Sequence, residues 1–96
     1  MYTQEGVFAA IRRERTQQDE KWGKNKPQSL PGFLLVIRSE LNEAFEGWTK
    51  NFEGKHAPLN EVLQIAAVAV ACLERYGPTG SAIATNDIPQ PNLDNL

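Results

Sequence analysis

Apolar residues recur at helical spacing in three stretches of this chain, separated by breaks that collect glycine, proline and asparagine. From about residue 3 to residue 18, Val7, Phe8 and Ile11 form a short stripe with a period of three to four; Thr3 stands where an N-cap belongs, and the remainder is charged. Residues 19–29 lose the period and gather Gly23, Asn25 and Pro27, which favour turns for distinct backbone reasons, so they predict a loop that carries Trp22. A second helix is expected from near Pro31, whose missing N–H costs nothing in a first turn, to about residue 51. Its apolar positions Leu34, Ile37, Leu41, Phe45, Trp48 and Phe52 recur at three and four, predicting one stripe turned to the core.

After a break at residues 54–58, a third helix is expected to open at Pro58 or Asn60 and to stop at Tyr76 before Gly77 and Pro78. Between residues 62 and 73 it is apolar nearly all round, which demands cover on every side. Three helices in one small chain supply that cover poorly. The pattern therefore predicts an all-α fold: a helical bundle of three main helices per chain in residues 1–78, completed by homo-oligomerisation as a homodimer or a dimer of dimers. Residues 79–96, rich in Gly, Pro, Asn and Asp, read as an extended or disordered tail.

Composition narrows the classes. Ninety-six residues allow one domain with a limited core. A net charge of −2 leaves no broad basic surface for a nucleic-acid polymer. The longest apolar run falls short of the roughly 20 residues needed to span a bilayer, so no membrane partner is expected. The opening Met1-Tyr2-Thr3-Gln4-Glu5 shows no basic stretch followed by an apolar one, and the expected compartment is the cytoplasm. The lone Cys72, inside the apolar run, reads as a small buried hydrophobe. No Gly-rich phosphate loop, Ser-His-Asp set or CxxC occurs, and His56 has no companions for a zinc site.

The chemistry sits in two acidic half-motifs. Glu40 and Glu43, in Glu40-Leu41-Asn42-Glu43, are three apart, as are Glu61 and Gln64 in Glu61-Val62-Leu63-Gln64. Residues three apart share a helix face with Cβ atoms about 5–6 Å apart. Two such faces packed together aim four oxygen-bearing side chains at one point, and clustered carboxylates call for a cation, Mg²⁺ above all. Gln64 is the only amide between residues 62 and 73, and a buried amide without a partner costs about 1–3 kcal/mol, so it should answer a polar group on the Glu61 face. The remaining helical glutamates, Glu5, Glu14, Glu20, Glu46, Glu53 and Glu74, read as solvated. Arg12, Arg13 and Arg15 suit either phosphate or a solvated face, on which Arg15 and Asp19 form an ordinary i, i+4 pair.

These residues resemble the MazG-like, all-α nucleoside triphosphate pyrophosphohydrolases, in particular the short forms of phages and mobile elements. The family pattern, EExxE on one helix and ExxD on the next, corresponds to Ser39-Glu40-Leu41-Asn42-Glu43 and Glu61-Val62-Leu63-Gln64. Three further stretches share the likeness: Glu14-Arg15-Thr16-Gln17-Gln18-Asp19-Glu20-Lys21-Trp22-Gly23, the Glu43-Ala44-Phe45-Glu46-Gly47-Trp48 continuation, and Gln64-Ile65-Ala66-Ala67-Val68-Ala69-Val70-Ala71. The resemblance implies Mg²⁺-dependent cleavage of a nucleotide between its α- and β-phosphates, with Glu40, Glu43 and Glu61 catalytic and, together with Gln64, holding the metal. Mn²⁺ suits the same donors. It further implies that Asp19, Lys21, Trp22 and Lys24 lie toward the nucleotide, with Trp22 either stacking on it or anchoring its loop. Ser39 and Gln64 depart from the pattern, and each removes one negative charge.

Overall fold

The computed structural model describes residues 1–51, 53–54 and 57–78. Phe52, His56 and the expected tail, 79–96, lie outside the described residues. Among those described, all regular structure is helical: α1 (Gln4–Trp22), a short 3-10 turn (Gly23–Asn25), α2 (Leu30–Thr49) and α3 (Pro58–Tyr76). No helix among them is long and apolar enough to cross a membrane.

The helix ends follow local chemistry. The Thr3 hydroxyl accepts from the Gly6 amide at 3.0 Å and the Ser29 hydroxyl from the Gly32 amide at 3.2 Å, each satisfying a first-turn N–H that has no helical partner. Pro31 and Pro58 occupy first turns, where a missing N–H is harmless. Gly23 (φ 50°) and Gly77 (φ 83°) end α1 and α3 in backbone that a side chain resists, and their amides donate to the carbonyls of Asp19 and Leu73. The segment 19–22, expected as loop, is therefore the last turn of α1. Turn-forming residues stop a helix only where they stand, and the first of them is Gly23.

α3 lies between the other two helices and packs on both. The core is Phe33, Val68, Ala71, Cys72 and Tyr76, bordered by Trp22, Leu30, Val36 and Ile37. Phe33 meets Tyr76 edge to face, with ring centroids 6.5 Å apart at 84°. Burial pushes the Cys72 thiol above its ordinary pKa, as suits a packing residue. Phe33 faces the end of α3 while Glu40 meets its first turn, so α2 runs antiparallel to α3.

One expectation about packing fails. The stripe of α2 was expected to face the core, yet Leu34, Leu41, Phe45 and Trp48 are exposed, and of its described members only Ile37 borders the core. The face of α2 that packs inward is instead Phe33, Val36, Ile37, Glu40, Ala44 and Gly47. α3, which three helices were expected to cover poorly, has two neighbours in the protomer and leaves Val62, Val70 and Leu73 exposed.

Candidate metal centre

Glu40 and Glu43 are one turn apart on α2, and Glu61 stands in the first turn of α3, where the helix dipole favours a negative charge. Antiparallel packing brings these turns together, and one carboxylate oxygen from each residue lies within 4.8 Å of the others. On an octahedral Mg²⁺, at about 2.1 Å per bond, adjacent oxygens stand about 3.0 Å apart and opposite ones about 4.2 Å, so the set would have to draw inward to grip an ion of that size.

The environment is as telling as the distance. Glu61 is only 3% exposed, Glu40 is half-buried, and Glu43 opens to solvent. The Oε2 atoms of Glu40 and Glu61 are buried with no hydrogen-bond partner. Leaving charged oxygens in that state is expensive. The Glu40 carboxyl accordingly rises from 4.5 to about 8, first through burial and then through the closeness of Glu61 and Glu43. At neutral pH a proton on Glu40 relieves the crowding, and a divalent cation does so more fully. Three carboxylates with two unpartnered buried oxygens are the donor set a hard cation takes.

Gln64 lies one turn beyond Glu61. Its side chain is half-buried and makes no hydrogen bond among the described residues, whereas its carbonyl accepts from Gln18 Nε2 at 3.1 Å. Ser39 is exposed. Four further candidate residues stand at the end of α1 and in the 3-10 turn after it. Asp19 pairs with Arg15 at 3.0 Å and with Lys26 at 3.6 Å, Trp22 packs against the core, and Lys21 and Lys24 are exposed. The segment that follows, Lys26 to Gln28, borders Ala71, Glu74 and Arg75. Ala71 is ten residues along α3 from Glu61, about 15 Å of helix. A ligand reaching from the carboxylates to Lys26–Gln28 has to extend along α3.

Arg15 and Gln18, read from the sequence as part of a charged surface, are buried. Arg15 Nε donates to Glu74 at 2.7 Å, so Glu74 is an ion-pair partner as well as a solvated acid. These carboxylates hold the guanidinium charged despite its burial and hold Asp19 below its usual carboxylate range. The signal was present. Ile11, Arg15, Gln18 and Trp22 continue at four, three and four, so the stripe of α1 runs on through polar residues.

Compared with protein-family models, curated proteins and solved structures, the chain finds no match in any of the three.

Proposed function

We propose that this protein is a Mg²⁺-dependent nucleotide pyrophosphohydrolase that cleaves a nucleoside or deoxynucleoside triphosphate to its monophosphate and pyrophosphate. The observation that carries the reading is the meeting of Glu40, Glu43 and Glu61 across two helices with two buried carboxylate oxygens unpartnered. The resemblance of the two half-motifs to the MazG-like pattern supplies the reaction.

In this reading Glu40, Glu43 and Glu61 hold the cation, and Gln64 sits beside it as a neutral donor. A bound divalent cation supplies charge neutralisation at the phosphates and a more acidic water. Glu43, the carboxylate open to solvent, is the one placed to orient a water or accept its proton. Glu40 and Glu61, the more buried pair, keep the site dry on its helix side. Lys21 and Lys24, both exposed, are open to an anionic ligand, and Arg15 is committed to Asp19 and Glu74.

A second reading, a nucleotide-binding or helical interaction module with weakened turnover, is favoured by one observation: Ser39 and Gln64 stand where the pattern has carboxylates. One experiment separates the two. Purified protein is incubated with a nucleotide panel and Mg²⁺, and products are identified by chromatography. Monophosphate plus pyrophosphate supports the enzyme; nucleotide binding without product supports the module; neither overturns both.

A further inference from the structure

We propose that Gln18 is a positioning residue for the cation site: its buried side-chain oxygen accepts from the NH₂ group of Gln64 and so turns the Gln64 side-chain oxygen toward the carboxylates. The inference rests on the metal-centre reading above. It adds to that site a residue of α1, a helix that contributes no carboxylate to the set.

Gln18 is 6% exposed, and its Nε2 donates to the backbone carbonyl of Gln64 at 3.1 Å. A carbonyl only accepts, so it fixes which end of the Gln18 amide faces α3. Turning the amide over would set oxygen against oxygen. Gln18 Oε1 is thereby held in a buried position where no donor reaches it. Buried acceptors in folded proteins almost always have a partner, and one left over marks a place where a donor is still to come.

The residue that fixes Gln18 also carries the missing donor. Oxygen and nitrogen of one amide stand about 2.3 Å apart, so Gln18 Oε1 lies no more than about 5.4 Å from the Gln64 carbonyl oxygen. The Gln64 side chain springs from that same residue, is half-buried, and makes no hydrogen bond among the described residues. Like other helical side chains it leans back along its helix, here toward Glu61. Its two ends have opposite uses, because the oxygen suits a hard cation and the NH₂ group only donates. An unheld amide presents either end. Donation to Gln18 Oε1 selects the oxygen for the cation, as outer hydrogen bonds orient the ligands of metal sites generally.

Calorimetric titration of the purified protein with Mn²⁺ tests the assignment, with circular dichroism and urea titration as the check on folding. Gln18→Leu is expected to weaken Mn²⁺ binding about 10–100-fold, the usual effect of losing an outer partner. Its stability should hold, because the Gln64 carbonyl keeps its partner within α3 and the unpartnered oxygen is gone. A merely structural role predicts the reverse split, lost stability with affinity kept. In a Gln64→Leu background the same change should leave the affinity as it is, since no amide remains to be held. The unmutated chain supplies a second measurement. Mg²⁺ should shift the Gln64 side-chain NH₂ signals in a proton–nitrogen correlation spectrum, where they are identified by their loss in Gln64→Leu, and should slow their exchange with water. Unchanged Mn²⁺ affinity in Gln18→Leu, an equal loss in the Gln64→Leu background, or NH₂ signals indifferent to Mg²⁺ each overturns the role of Gln18 and leaves the carboxylate site standing. No Mn²⁺ binding by the wild type overturns both.

Discussion

Glu40 and Glu61 face each other across α2 and α3, each with one buried oxygen that no hydrogen bond reaches. That relationship makes stability depend on pH in a definite direction. Glu40 binds its proton more tightly folded, at about 8, than at the ordinary value of 4.5. The native state therefore holds the extra proton between those values, and stability falls as pH rises from about 4.5 through about 8. Asp19, held low by Arg15, acts oppositely but only below its ordinary 3.8. Melting temperatures in chelator should decline across the upper window and flatten with Mg²⁺ or in Glu40→Gln. A level profile in chelator would remove the crowded-carboxylate account.

Glu43 is exposed, so Glu43→Gln should fold as the wild type does. Loss of one charged donor from a three-carboxylate set should lower Mg²⁺-dependent pyrophosphate release at least about a hundredfold, roughly 2.7 kcal/mol of transition-state stabilisation. A drop of only a few-fold, with helicity unchanged, would take Glu43 out of the metal set.

Gln64→Asp adds a carboxylate one turn from Glu61. With Mg²⁺ it should tighten metal binding, and without metal it should lower the melting temperature, since a further negative charge then stands beside the buried Glu61 without compensation. Paired melts with and without Mg²⁺ measure both halves. An identical metal-induced shift in wild type and variant would place the Gln64 side chain away from the ion.

Arg15 joins α1 to α3 through Glu74 and braces Asp19 on its own helix. Both carboxylates stay about half exposed and rehydrate when the guanidinium is lost, so Arg15→Ala should cost about 1–3 kcal/mol, less than breaking a fully buried pair. Arg15→Met, which keeps the apolar stem, should recover part of that in urea titrations. Equal losses in the two variants would mean that charge alone matters.

Trp22 packs against the core cluster of Phe33, Val68 and Tyr76. Trp22→Ala should therefore destabilise the fold by roughly 2–4 kcal/mol, toward the lower part of the range for buried aromatics because Trp22 is only half-buried. Denaturation paired with nucleotide titration distinguishes anchoring from stacking. A stability loss with unchanged nucleotide affinity identifies an anchor, and an affinity loss at unchanged stability identifies a stacking platform.

The sequence by itself determined the three helices, the stop of α3 and the acidic half-motifs, while the end of α1 was expected one turn too early. Thr3, Pro31, Pro58, Gly23 and Gly77 act through bonds and dihedral angles within a few residues, so their effects are readable without the fold. The i, i+3 spacing of Glu40 and Glu43 likewise fixes a shared helix face. Only the tertiary structure decided which face of α2 is buried. That helix carries two apolar sets, Phe33, Val36 and Ile37 against Leu34, Leu41, Phe45 and Trp48, and helical periodicity ranks neither above the other. The choice falls to the fit against α3, where Ala44 and Gly47 continue the inward face. The burial of Glu61, Arg15 and Gln18 is decided the same way. A polar side chain at a helix contact is identifiable only once the opposing helix is in place: it supplies Glu74 for Arg15 and the Gln64 carbonyl for Gln18, and it sets Glu61 against a like carboxylate, Glu40.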